Sequence, residues 1–207
     1  MAHLKNIIFD LGGVLAHLNI ERCRAAYRSL GMHAVADLLH PSHACELLER
    51  LERGDNTFAE ICDQMRQMTG CCEVTNEQIA WAYGEFITEI PLRKLRLIER
   101  LREKGVHTYV LSNNNEAAMQ AIRQHFLRDG KPMEEYFDKV YLSYQMKALK
   151  PSPAIFQQMI ADSGMKPEES LFIDDSPRNI EAAHALGFQV YLPAQNEDFA
   201  PLLEAWL

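Results

Sequence analysis

Apolar and polar residues alternate in regular blocks from residue 91 to the end of the chain. Apolar residues spaced three and four apart, as in Leu92, Leu95, Ile98 and Leu101 after Pro91, indicate an amphipathic helix. Further helices are predicted over 116–127, 153–163 and 178–186. Short apolar runs between polar residues predict strands over 106–111, 139–142, 171–173 and 188–191. Short apolar strands that alternate with amphipathic helices are typical of a parallel sheet covered on both faces.

The first part of the chain breaks this alternation. Residues 6–9 predict one more buried strand, but residues 16–90 contain helical patterns only. Helices are predicted there over 21–30, 44–53, 57–68 and 76–89, separated by Gly31, the turn 54–56 and Gly70. We therefore predict an α/β fold with a Rossmann-like core formed by residues 1–15 and 91–207. An all-helical module, residues 16–90, is inserted after the first strand.

Composition limits the classes of partner. The 207 residues are enough for one core with a smaller inserted module. The net charge of −8, with no stripe of Lys and Arg to offset it, argues against a nucleic-acid partner. No apolar run approaches the ~20 residues that cross a bilayer, and the N-terminal stretch reaches Asp10 too soon for a secretory signal. We expect a cytoplasmic protein without membrane contact, present as a monomer or homodimer. The five cysteines lack paired spacing, so free thiols are expected.

Polar side chains follow each predicted strand at its carboxyl end. Asp10 follows the first strand, Ser112 and Asn113 the second, and Asp174-Asp175 the fourth, while the third leads toward Lys150. Ligands of open parallel sheets collect at this edge. Carboxylates are the ligands that Mg²⁺ prefers, and hydroxyl and ammonium groups bind phosphate oxygens. The edge therefore predicts a site for a metal ion and a phosphate.

Each of these residues also has an ordinary structural interpretation. Asp and Asn at strand ends often cap a turn or a helix, and a lysine before a proline is often a surface residue. Four such elements in order, on four successive strands of one sheet, favour a joint site over four separate caps.

Four sequence motifs resemble those of the haloacid dehalogenase superfamily, most of whose members are phosphatases. They are, in order, FDLGGVL, VLSNNN, LKPSPAIF and LFIDDSPRNIEAAHALG, and the resemblance covers the whole chain. The helical module 16–90 is similar to the C1-type cap of that family. The combination of motif forms is most similar to the bacterial sugar-phosphatase branch that includes α-glucose-1-phosphate phosphatases.

The resemblance implies a Mg²⁺ site. Asp175 would be the direct ligand, helped by an oxygen of Asp10 and the main-chain carbonyl of Gly12. Asp174 would bind through water or support the ligands, and Asn179 would support them as well.

The resemblance also implies catalytic and phosphate-binding residues. Asp10 would attack phosphorus and form an aspartyl-phosphate. Ser112 and the Asn113 amide would hold phosphate oxygens, and Lys150 would offset negative charge on the nucleophile and the phosphoryl group.

The sequence departs from the family pattern at two positions. Gly12 stands where many phosphatases of the family carry a second Asp as general acid and base, a role typically worth ~10²–10⁴-fold in rate. Water or a neighbour such as His17 is an alternative proton donor, although a plain loop histidine is the favoured interpretation. Lys147 stands where relatives usually have a small residue. It is either a second cation near the phosphate or, as we favour, a solvated loop residue.

Three functions are consistent with these observations. The favoured one is a Mg²⁺-dependent phosphatase of a small phosphorylated metabolite, most plausibly a sugar phosphate. A catalytically weak phosphate-binding or regulatory protein is the alternative that Gly12 keeps open. A metal-free 2-haloacid dehalogenase is disfavoured, because such a site has little reason to assemble Asp174 and Asp175 opposite Asp10.

Overall fold

The computed structural model describes residues 4–39, 45–128 and 131–204. The strands in these ranges are β1 (Asn6–Phe9), β2 (His17–Leu18), β3 (Ile87–Glu89), β4 (His107–Ser112), β5 (Lys139–Leu142), β6 (Ser170–Ile173) and β7 (Gln189–Tyr191). The helices are α1 (Ile20–Ser29), α2 (His33–Leu38), α3 (Glu46–Arg53), α4 (Phe58–Thr69), α5 (Asn76–Gly84), α6 (Leu92–Glu103), α7 (Glu116–Leu127), α8 (Ser143–Met146), α9 (Pro153–Ser163), α10 (Pro177–Ala185) and α11 (Ala200–Glu204). None of these helices is long and apolar enough to cross a membrane.

Five strands form a parallel sheet in the order β5-β4-β1-β6-β7. Every residue of β1 and β6 is buried, because separate apolar clusters cover the two faces of the sheet. The predicted α/β fold class is therefore confirmed. The predicted helices 116–127 and 153–163 are observed with those bounds.

The helices α1 to α5 enclose an apolar core of their own. Its buried residues include Tyr27, Leu51, Ile61 and Ile79, and Ala118 from α7 packs against them. Thr57 and Thr75 are the N-caps of α4 and α5, and each forms a capping box. The threonine hydroxyl accepts from the main-chain N–H three residues later, and the Glu or Gln side chain of that later residue accepts from the main-chain N–H of the threonine. We propose that this helical part is the cap that the sequence predicts over 16–90. Residue 44, the predicted start of one of its helices, lies outside the described residues.

The prediction that residues 16–90 contain helices only was wrong at both ends. β2 and β3 pair as a short antiparallel ribbon, in which His17 lies opposite Glu89 and Leu18 opposite Ile87. The predicted helix 76–89 consequently ends at Gly84. Strands of two and three residues are too short to show the period-2 alternation that predicts a strand. The two segments that connect the core to the cap, one at each end of residues 16–90, therefore pair with each other in this ribbon.

The carboxyl end of α3 docks onto α8 of the core. The Ser143 hydroxyl donates to the carbonyl of Glu52 at 2.6 Å, and the Lys147 ammonium donates to the carbonyl of Gly54. Gly54 has φ +75°, and a Cβ there would lie 2.4 Å from the carbonyl oxygen of Tyr144. The contact therefore requires a residue without a side chain at position 54.

Replacement of Gly54 by alanine should cost more stability than the same change at Gly70. Both glycines end helices at positive φ, but a Cβ at Gly70 would meet nothing within 4 Å. Gly70→Ala should lower the free energy of unfolding by the ~1–2 kcal/mol of left-handed strain, and Gly54→Ala by a further ~1–3 kcal/mol of overpacking. Urea denaturation of the two variants measures the difference. Equal losses would show that the α3–α8 contact adjusts without cost.

Candidate active site

The register of the central strands brings three carboxylates together. Phe9 at the end of β1 pairs with Ile173 at the end of β6, so Asp10 lies beside Asp174 and Asp175. An oxygen from each of these three carboxylates lies within 4.8 Å of the others. The cluster arises because parallel strands end at the same edge of the sheet.

Lys150 lies between two of these carboxylates. Its ammonium is 3.0 Å from Oδ1 of Asp10 and 2.6 Å from Oδ2 of Asp174, and only 1% of its side chain is exposed. It also donates to the carbonyl of Leu111 at 2.8 Å, next to the end of β4. A buried ammonium is tolerated when paired and hydrogen-bonded in this way. Lys150 thus joins three strands of the sheet through one cation.

Asp174 is completely buried, and both of its oxygens accept hydrogen bonds. Oδ1 accepts from the main-chain N–H of Ser176 and from Asn179, each at 2.9 Å, and Oδ2 accepts from Lys150 and, at 3.1 Å, from Asn179. These contacts fix the orientation of Asp174 and leave little freedom to bind a metal directly. We propose that Asp174 acts through water or through Lys150, in line with its expected role.

Asp175 is partly exposed and lies in space that only a glycine leaves free. A Cβ on Gly13 would lie 2.0 Å from Oδ2 of Asp175, and Gly13 has φ +75°. Of the two adjacent glycines in the FDLGGVL motif, the second, Gly13, leaves the space that this carboxylate occupies. We propose Asp175 as the direct metal ligand.

The charges of the cluster do not balance without a further cation. Burial raises the pKa of Asp10; Lys150 opposes that shift, and the nearby charge of Asp174 adds to it. Burial, Asp10 and Asp174 together raise the pKa of Asp175 to about 6. The cluster thus holds three carboxylates and one ammonium, which contacts two of them, and the all-oxygen donor set suits Mg²⁺. The residues present fit a divalent cation.

The loop after β4 supplies the groups predicted to bind phosphate. The Ser112 hydroxyl donates to the Asn113 carbonyl at 3.5 Å and lies near enough to Asp10 to oppose the rise in the pKa of that carboxyl. The side chain of Asn113 is engaged with the main chain of Lys150: its amide donates to the Lys150 carbonyl at 2.9 Å and its oxygen accepts from the Lys150 N–H at 2.8 Å. We therefore propose that the main-chain N–H of Asn113, rather than its side chain, binds phosphate.

Three further residues singled out in the sequence lie as follows. A Cβ on Gly12 would meet Cδ1 of Leu18 at 3.2 Å, so Leu18 fills the space beside this residue. His17 contacts Glu89 through Nδ1 at 3.0 Å and Lys94 through Nε2 at 3.5 Å, which occupies both ring nitrogens. Lys147 is exposed, as expected of a solvated loop residue, but its ammonium holds the cap at Gly54.

A cavity of about 320 Å³ separates the cap from the core at this edge. The core contributes Asn113, Leu149 and Lys150 to its lining. The cap contributes Ile20, Cys23, Leu38, Leu39, Cys45, Leu48, Glu49, Glu52, Tyr83 and Phe86. A larger groove of about 610 Å³ is lined by residues of the cap and of α7. Neither lining includes the clustered carboxylates, but that of the smaller cavity includes Lys150, which contacts Asp10 and Asp174. We therefore propose that the smaller cavity serves the site.

The sequence interpretation missed Glu52 and Tyr83. Glu52 lies two residues before the turn 54–56, but α3 carries several glutamates and helical periodicity alone does not distinguish them. Tyr83 reads as a core residue, and its hydroxyl accepts from the side chain of Asn115 at 3.0 Å. Both side chains reach the cavity only because the cap folds back over the sheet.

The sequence is similar to a described protein family and to a named bacterial phosphatase. A family model described as haloacid dehalogenase-like hydrolase matches residues 4–187. D-ribitol-5-phosphate phosphatase of Bacteroides thetaiotaomicron is 38% identical over 197 residues, covering 95% of each chain.

Two bacterial proteins are among the solved structures with the same fold. A HAD family enzyme of Bacteroides thetaiotaomicron, crystallised with magnesium and inorganic phosphate, superposes with a TM-score of 0.88 at 38% identity over 96% of this chain and 98% of its own. A predicted HAD-like family hydrolase of Porphyromonas gingivalis superposes with a TM-score of 0.89 at 39% identity over 99% and 98%.

Mg²⁺ should stabilise the chain, and more so at pH 7.5 than at pH 5. The pKa of Asp175, raised to about 6 from an ordinary 3.8, means that the metal-free folded chain takes up a proton there and that stability from this group falls as pH rises through that range. Mg²⁺ competes with that proton. The increase in Tm with Mg²⁺ should therefore shrink at pH 5 and disappear in Asp175→Asn.

Asp37→Asn is the matched control, because Asp37 is an exposed carboxylate that contacts Arg28 in the cap. It should keep the full Mg²⁺-dependent rise in Tm. A rise that survives in Asp175→Asn would place the cation elsewhere.

Proposed function

The chain belongs to the haloacid dehalogenase-like hydrolases, and we propose that it is a Mg²⁺-dependent phosphatase acting on a small phosphorylated sugar or sugar alcohol. The observation that carries the proposal is the Asp10–Lys150–Asp175 arrangement beside a cavity of about 320 Å³. A carboxylate nucleophile meets an anionic phosphate ester only where cations neutralise both. Lys150 supplies one such charge, and Mg²⁺, when bound, supplies further charge neutralisation for the phosphoryl oxygens.

Asp10 is the proposed nucleophile. Oδ1 of Asp10 accepts from the main-chain N–H of Leu11 at 2.8 Å and lies 3.0 Å from Lys150, so the carboxylate is held in one orientation. Attack on phosphorus forms an aspartyl-phosphate and releases the alcohol, and water then hydrolyses this intermediate. The Ser112 hydroxyl, the Asn113 N–H and Lys150 are proposed to hold the phosphoryl oxygens meanwhile.

The cavity supports a substrate of monosaccharide size. Its volume of about 320 Å³ lies at the lower end of the ~300–1,000 Å³ typical of small-molecule sites. Glu49 and Glu52 from the cap and Asn113 from the core offer hydrogen-bonding groups to a polyhydroxylated ligand. The relative named D-ribitol-5-phosphate phosphatase makes D-ribitol 5-phosphate the first substrate to test.

A phosphate-binding protein without turnover is the second candidate function, and Gly12 is the observation that favours it. The general acid that many relatives carry at this position is absent. Dehalogenation is disfavoured, because the clustered carboxylates call for a cation that the metal-free reaction does not use.

Phosphate release from a panel of pentitol, pentose and hexose phosphates tests the proposal. We expect turnover of one or a few substrates with Mg²⁺ and a loss of at least ~10³-fold in Asp10→Asn, because the nucleophile is removed while its shape is kept. Asp162→Asn, at an exposed carboxylate bound to Lys139 and Tyr141, is the control and should keep its activity.

The two candidate functions give different outcomes in this assay. Binding of inorganic phosphate without release from any substrate would favour the phosphate-binding protein. Release that is equal in wild type and Asp10→Asn would exclude Asp10 as the nucleophile.

A further inference from the structure

The side chain that should protonate the leaving group cannot come from position 12. Cδ1 of Leu18 lies 3.2 Å from where a Cβ of residue 12 would be. Leu18 is itself held in place, because its N–H donates to Oδ1 of Asn196 at 2.9 Å and its carbonyl accepts from Nδ2 of Asn196 at 3.0 Å. His17 is engaged with Glu89 and Lys94. An acid for the reaction must therefore approach from another side.

Glu52 lines the cavity from the cap side. It lies in the last turn of α3 and shares the lining of the cavity with Asn113 and Lys150. The negative charge of Glu52 helps to raise the pKa of the Tyr83 phenol, which lines the same cavity. Glu52 is thus a carboxyl group within electrostatic reach of the phosphate-binding residues.

The main chain of Glu52 is fixed to the loop that binds phosphate. The hydroxyl of Ser143 donates to the Glu52 carbonyl at 2.6 Å, and the same hydroxyl oxygen accepts from the main-chain N–H of Asn114 at 2.9 Å. Asn114 is two residues after Ser112. A single hydroxyl therefore sets the distance between Glu52 and the phosphate-binding loop.

We propose that Glu52 is the general acid and base of this enzyme, taking the role that Gly12 cannot fill. The proposal rests on the proposed phosphatase function. In-line displacement puts the leaving oxygen on the side of phosphorus opposite Asp10. Cap residues line most of the cavity, and Glu52 is the lining carboxyl group whose pKa the charges of both Asp10 and Lys150 affect.

The charges around Glu52 favour its protonated form. Burial raises the pKa of Glu52, the carboxylates of Asp10 and Glu49 raise it further, and Lys150 opposes them, with a result of about 7. A carboxyl group in these surroundings keeps its proton to a higher pH than an ordinary glutamate does. An acid whose pKa lies near the working pH is the most effective proton donor.

The two half-reactions balance with Glu52 alone. In the first, Asp10 forms a bond to phosphorus, the ester P–O bond breaks, and the proton of Glu52 passes to the leaving alkoxide to give the free alcohol. In the second, the Glu52 carboxylate takes a proton from water as that water attacks the phosphorus of the aspartyl-phosphate. The Asp10–phosphorus bond breaks, phosphate leaves, and Glu52 is protonated again.

The test compares substrates that differ in their need for a proton. Glu52→Gln keeps the size of the side chain but cannot transfer a proton. Its kcat/KM should fall by ~10²-fold or more for an alkyl phosphate such as D-ribitol 5-phosphate. For 4-nitrophenyl phosphate, whose phenolate leaves without protonation, the loss should stay within about threefold.

The pH profile gives an independent readout. In wild type, kcat/KM for the alkyl phosphate should decline as pH rises through the pKa of Glu52, because the acid loses its proton. This decline should be absent in Glu52→Gln, while inhibition by inorganic phosphate should stay unchanged. Glu46→Gln, at an exposed residue in the first turn of α3, is the control and should behave as wild type.

Other outcomes overturn the inference and leave the proposed function standing. Equal losses on alkyl and aryl phosphates would show that Glu52 only supports the fold or the cap. A selective loss in Glu49→Gln rather than Glu52→Gln would assign the proton to the neighbouring carboxyl, one turn away. By contrast, wild-type enzyme that hydrolyses no phosphate ester with Mg²⁺ would reject the proposed function itself.

Discussion

The buried ion pairs of Lys150 are the interaction on which the rest of the site depends. An ammonium with 1% of its side chain exposed is costly to bury, and the carboxylates of Asp10 and Asp174 offset that cost only when both contacts are made. Those contacts require β1 and β6 to end at the same level and the loop before α9 to fold back over β4. Because the Lys150 ammonium must be paired, it fixes the relative positions of β1, β4 and β6, which lie far apart in the chain.

The same loop that reaches Lys150 also determines where the cap lies. The side chain of Asn113 binds the main chain of Lys150, the N–H of Asn114 binds Ser143, and the amide of Asn115 donates to the hydroxyl of Tyr83 in α5. Three successive asparagines therefore contact Lys150, the Ser143 hydroxyl to which α3 docks, and the cap helix α5 in turn. Any shift of the cap is coupled mechanically to the loop that is proposed to hold phosphate.

The sequence predicted the sheet and the residues at its edge because both depend on local information. Buried strands such as 6–9 are continuous apolar runs, and a polar residue after each strand is visible without knowing the fold. The β2–β3 ribbon was missed, since its paired residues, His17 with Glu89 and Leu18 with Ile87, are far apart in the chain and too few to show a period. Glu52 was missed for a different reason. It is one of several glutamates on α3, and only the docking of α3 onto α8 distinguishes it from Glu46.

The absence of an acid at Gly12 is consistent with catalysis if the cap supplies the proton instead. A carboxyl group on the core acts whether or not the cap is in place, whereas a carboxyl group on α3 acts only while Ser143 and Lys147 hold the cap against the core. Transfer of the role to Glu52 would therefore make leaving-group protonation conditional on closure. In an open site the aspartyl carboxylate would face a poor leaving group in water, and turnover of the wrong phosphate ester would be slow. Specificity would then follow from which substrates allow α3 to dock.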